Sequence, residues 1–136
     1  MATLTPTLTL ASTDISASET LNLTLTDTLA VLGPVQTKRM TVDSTTADVR
    51  DNAIILAAAS YTKAYVLLYN TSTATSGELI TIGNQDTDDT ATLDYTDMEL
   101  APGEFAFFPW NSTVTMNAVA SSGTPVLEVR VFQTAA

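Results

Sequence analysis

Cysteine and histidine are both absent from these 136 residues, and only 5 residues are basic. Without cysteine there is no disulfide framework and no thiolate nucleophile. Without histidine, the side chain that titrates nearest neutrality and most often ligates transition metals is missing too. Catalysis would have to rest on carboxylates alone, so the expectation is a protein that is not an enzyme and that holds neither metal nor cofactor. The few lysines and arginines stand against 15 acidic residues, a formal net charge of -10. That charge opposes approach to phosphate backbones, and no direct nucleic-acid binding is expected. Long hydrophobic runs are lacking as well. AIILAAA is far shorter than the ~20 residues that cross a bilayer, and no basic segment precedes an apolar run at the N-terminus. No membrane or targeting segment is expected.

What is present describes a chain that folds. Hydrophobic residues make up 45% and charged residues 15%, far from the composition of disorder. Threonine supplies 26 of the 136 residues, and its branched Cβ favours the pleated surface of a strand over a helix.

The patterning agrees. TLTPTLTL alternates, with Leu4, Leu8 and Leu10 on one face and Thr3, Thr5, Thr7 and Thr9 on the other, and Pro6 marks it as an edge strand. ETLNLTLTDTL repeats the device with Leu21, Leu23 and Leu25, across a polar loop ASTDISASE. VQTKRMTV, ELITIGN, STVTMNAVA and PVLEVRVFQ read as further strands. AYVLLYN is apolar on both faces, which places it in the middle of a packed sheet. DNAIILAAAS fits a strand or a short helix, and strand is the preferred reading for 53–60.

About ten short strands between turn signals predict an all-β protein, an antiparallel β-sandwich with the jelly roll as one form of it. Residues 1–30 carry threonine and leucine but no aromatic ring, and are expected to form an extended N-terminal arm beside a sandwich of residues 31–136.

The motif LAPGEFAFFPW, residues 100–110, holds four of the chain's rings in six positions. Pro102-Gly103 suits the two central positions of a type II turn. Beyond it Phe105 and Phe107 share one face, and Ala106, Phe108 and Trp110 the other. At least one set is expected between two sheets, with Phe105 and Phe107 taken as core residues and Trp110 as the residue left for a surface contact. The turn resembles that of cupin jelly rolls, but Phe, Ala, Phe and Phe stand where that family places a metal-binding histidine.

Asp86, Asp88, Asp89, Asp94 and Asp97 form an acidic stretch at 86–97 that departs from the EF-hand pattern, because Ala91 replaces its turn glycine and Asp97 its bidentate glutamate. A solvated loop is the expectation.

Taken together, the Thr/Leu-rich beginning, YVLLYNTS, ELITIGN, LAPGEFAFFPWNST and VLEVRVFQ resemble the small all-β virion proteins of tailed bacteriophages, mostly over residues 64–133. The resemblance implies a head decoration (cement) protein, made in the host cytoplasm and carried on the outer capsid surface. Its partners would be the major capsid protein and copies of itself, in a homo-oligomer such as a trimer. The alternative it implies is a tail fibre, adhesin or tail adaptor module that binds a host glycan or another tail protein. For either, Leu4, Leu8, Leu10 and Trp110 are the candidate interface residues. The leucine strand is expected to add to a neighbouring chain by β-augmentation, or else to pair inside its own sandwich.

Overall fold

The computed structural model describes residues 1–14, 20–32, 36–44, 54–58, 60–84, 93, 95–111 and 113–135. Among them the chain is all strand and turn, with every strand pair antiparallel. Eight strands form the sandwich: β5 (Gln36–Thr41), β6 (Ile54–Leu56), β7 (Lys63–Asn70), β8 (Ile80–Asn84), β9 (Tyr95–Leu100), β10 (Phe105–Asn111), β11 (Met116–Ala120) and β12 (Val126–Gln133). One sheet runs β10-β7-β12-β5 and the other β6-β11-β8-β9. The stretch left open between strand and helix is therefore a strand at Ile54–Leu56.

One cluster joins the two inner faces. Val66 and Leu68 of β7 and Leu127, Val129 and Val131 of β12 pack with Ile80 and Ile82 of β8, Ala118 and Ala120 of β11, and Ile55 of β6. Alternation does this directly: Leu127, Val129 and Val131 point inward while Glu128 and Arg130 point out and pair with each other at 2.7 Å.

Two expectations about single strands are corrected. β7 is central in its sheet, yet only one face is buried; Tyr65 and Leu67 are half-buried and Tyr69 is exposed. In β10 the inward set is Ala106, Phe108 and Trp110, with Trp110 only 5% exposed, whereas Phe105 is 64% exposed. Trp110 is a core residue and not a surface contact, and Phe105 and Phe107 are not core. The registers Phe105↔Tyr69 and Phe107↔Leu67 put these two rings on the outer face. Both faces of β10 are apolar, so its alternation could not say which one the second sheet covers.

The Pro102-Gly103 turn forms as expected. Gly103 takes φ +81°, and the Glu104 N–H donates to the Ala101 carbonyl at 3.0 Å. Asn70, fully buried, fastens the same corner. Its amide donates to the carbonyls of Glu78 and Leu100, both at 3.0 Å, while its side-chain oxygen accepts from the Ser72 N–H at 3.1 Å.

The first four strands lie outside these sheets. β1 (Ala2–Leu4) pairs with β4 (Leu29–Val31), and β2 (Thr7–Ser12) with β3 (Leu21–Thr26). One register runs through both pairs, from Ala2 opposite Val31 to Ser12 opposite Leu21. Residues 2–12 and 21–31 thus form one two-stranded ribbon, interrupted at Pro6, which has no N–H to give but whose carbonyl accepts from Asp27 at 3.1 Å. The base is tied to the end of β12 by the Val31↔Thr134 bridge and by hydrogen bonds Leu32 N–H to Gln133 (2.8 Å) and Ala135 N–H to Ala30 (3.1 Å).

Candidate functional site

The ribbon places Leu4, Leu8 and Leu10 with partners the sequence did not pair them with. Leu4 lies opposite Leu29, Leu8 opposite Leu25, and Leu10 opposite Leu23. Directly opposed residues of an antiparallel pair share a face, so these six leucines and Leu21 line one side. The other side carries Thr7, Thr9, Thr24 and Thr26, with Thr7 and Thr26 hydroxyls 3.3 Å apart. Burial is least in the middle of the ribbon and recovers toward Leu10 (42% exposed), Leu23 (39%) and half-buried Leu21. Leu4 and Leu29 are half-buried, whereas Leu8 and Leu25 are 47% and 56% exposed.

Neither β2 nor β3 contains a charged residue, in a chain of net charge -10. Neither makes an extended contact with a strand of the sandwich. A hairpin of two strands is marginal in water without a layer on its apolar face. Leu23 and Leu25 were legible as a strand face; what the sequence left unsaid is that the chain closes this hairpin on itself.

A second exposed apolar area occupies the outer face of the β10-β7-β12-β5 sheet. Tyr65 and Phe107 stack with centroids 5.6 Å apart and ring planes 20° apart, and Phe132 meets Phe107 edge-on at 6.3 Å. Phe105 and Tyr69 extend the patch along β10 and β7. Arg39, Arg130 and Lys63, three of the five basic residues, stand on the same face. The fourth, Lys38, points inward, donates to the Ile54 carbonyl at 3.3 Å, and has its pKa lowered by desolvation.

Trp110 lines a cavity of about 170 Å³ with Phe108, Met98, Met116 and Val114. Its indole N–H has no hydrogen-bond partner among the described residues. Asp86, Asp88, Asp89 and Asp94 lie outside the described residues, and Asp97 is exposed on β9. Among the described residues no three acidic side chains gather as a metal site would require.

No family model and no curated protein matches this chain. A solved structure from Bacillus endospore appendages, described as a novel family of disulfide-linked pili, is similar at 17% identity and TM-score 0.47, over 79% of this chain and 91% of that one. At that level the likeness carries no argument about function.

Proposed function

We propose that the chain is a non-enzymatic structural subunit, a decoration (cement) protein of a phage head, whose ribbon attaches its sandwich to the shell. The observation that carries this is the uncharged leucine face of residues 7–12 and 21–26, held away from the sandwich core. A shell protein that covers this face and adds a strand at the open edge of β2 or β3 supplies the missing layer and main-chain partners together. Each half-exposed leucine so covered contributes about 1 kcal/mol, a modest anchor per copy that a lattice multiplies.

The finer fold reading belongs to the same proposal. Successive strands cross between the sheets at every connection from β5 to β12 except β8–β9, which gives the orders β10-β7-β12-β5 and β6-β11-β8-β9. We take this as the double Greek key of a jelly roll. The resemblance of residues 64–133 to phage virion proteins supports a structural part of a particle, head or tail; the acidic remainder supports a water-facing surface that repels its neighbours.

The tail-fibre or adaptor reading draws on the exposed rings of the outer face, which suit stacking on a sugar. Tyr65 and Phe107, however, already stack on each other, so decoration stands first.

The test is co-sedimentation of the purified chain with expanded empty heads. The double variant Leu8→Asp/Leu25→Asp is expected to melt as the parent does in its sandwich transition and to lose binding. Undiminished binding by that variant overturns the ribbon as the anchor.

A further inference from the structure

The outer face of the β10-β7-β12-β5 sheet is divided lengthwise. Its β10–β7 half is mostly aromatic and aliphatic, with Phe105, Phe107, Tyr65, Leu67 and Tyr69 and a single cation, Lys63, at the start of β7. Its β12–β5 half carries Glu128, Arg130 and Arg39, with Phe132 as its one ring. The registers align these into rows across the sheet. One row reads Phe105, Tyr69, Glu128, Arg39, and the next reads Phe107, Leu67, Arg130, Thr37.

From this division we infer that the face binds a second copy of this chain about a two-fold axis running along the strands between β7 and β12. Rotation about that axis lays the aromatic half of each copy over the charged half of the other while keeping each row at its own level. Phe105 then meets Arg39 of the second copy, Tyr69 meets its Glu128, and Leu67 meets the alkyl stem of its Arg130. The first is a cation–π contact, the second a phenol donating to a carboxylate, the third apolar packing on a guanidinium stem. Each contact occurs twice, as an isologous interface requires. No like charges face each other. An axis across the strands would instead lay β12 and β5 on themselves and bring their arginines together.

Size allows the same occupant. Four strands ~4.8 Å apart and about seven residues long at ~3.4 Å per residue span roughly 19 by 24 Å. That plane of about 460 Å², enlarged by side-chain relief, reaches toward the ~600 Å² per partner at the low end of specific interfaces, below the ~800 Å² of the standard class. Exposed Phe105, Tyr69 and Phe107 form an apolar group on the β10–β7 side of the face, which the two-fold lays against the charged side of the other copy. The face is also the place where this acidic chain concentrates cations, so two copies can approach there with the least repulsion.

Sedimentation equilibrium of the full chain tests the inference. The parent is expected to shift with concentration from 14.4 kDa to twice that mass. Phe105→Arg and Arg39→Phe are each expected to weaken association by about tenfold or more, since each removes two symmetric contacts. The double swap Phe105→Arg/Arg39→Phe rebuilds the pair with its members exchanged and is expected to restore association. Both positions are exposed, so the variants leave the core untouched. Leu8→Asp/Leu25→Asp, which disables the ribbon, is expected to leave the dimer intact. A chain that stays monomeric up to about 100 μM overturns the inference. So does a dimer lost with the leucine variant and kept by the single face variants, an outcome that leaves the ribbon anchor standing.

Discussion

The ribbon and the sandwich use the same alternation and reach opposite degrees of burial. In β12, Leu127, Val129 and Val131 face a second sheet and are almost wholly buried. In β3, Leu23 and Leu25 follow the same period of two and stay exposed, because among the described residues no second layer lies against them. Alternation states which side chains share a face; it does not state what covers that face. The free energy of burial comes from the covering layer, so equal patterns on two strands have unequal worth. A leucine row without its layer is a place for another chain, and this protein keeps that row free of charge.

The largest effects should separate the two regions. Leu68→Ala and Trp110→Ala, both in the sandwich core, are expected to cost about 2–5 kcal/mol. Leu25→Ala in the ribbon and Phe105→Ala on the outer face are expected to stay within about 0.5 kcal/mol for the monomer. Urea unfolding at low protein concentration, followed by circular dichroism, checks all four. Equal losses in core and ribbon would break the comparison.

A smaller effect sharpens it within the sandwich. Asn70→Ala leaves the carbonyls of Glu78 and Leu100 without the Asn70 amide at a buried corner, at an expected cost of about 1–3 kcal/mol. The ribbon's exposed counterpart, Thr7→Ala, removes the contact with Thr26 where water can replace it, and should change stability by only a few tenths of a kcal/mol. Thermal melts that rank the two the other way would show that the ribbon is packed more tightly than its exposure indicates.

The smallest effect is pH-dependent. Burial lowers the pKa of Lys38 in the folded state below its usual 10.5. Below the folded value both states carry the charge, and only the folded state bears the desolvation cost. As pH rises from there to 10.5 the unfolded state binds more protons, so stability should rise. Lys38→Met removes this contribution. Unfolding free energies measured as the pH rises toward 10.5 should show a flatter dependence in the variant than in the parent. Identical slopes would mean that Lys38 is as well hydrated as the ribbon's side chains.

Much of the fold could be read from particular residues. The Pro102-Gly103 turn was legible because glycine accepts without steric cost the positive φ found at its second central position. The inward row of β12 was legible because Glu128 and Arg130 leave only one apolar face. β10 was not, since Phe105 and Phe107 on one side and Phe108 and Trp110 on the other are equally apolar. Arg39 and Phe105 lie 66 positions apart in sequence, and nothing in their local patterns announces that one sheet row holds both. The candidate leucines were legible as a face, but their pairing with Leu23, Leu25 and Leu29 depended on the register of the ribbon.

The sequence by itself determined the strand class, the turn at Pro102-Gly103, the acid excess and the absence of thiol and imidazole, because these follow from local backbone preference and from side-chain chemistry. The tertiary structure decided which face of each doubly apolar strand became core, that Trp110 lies inside and Phe105 outside, and that residues 2–12 and 21–31 stand as a ribbon with a leucine face. These depend on which layer is placed against which strand. That choice is made by contacts between residues far apart in the chain, where local periodicity carries no information.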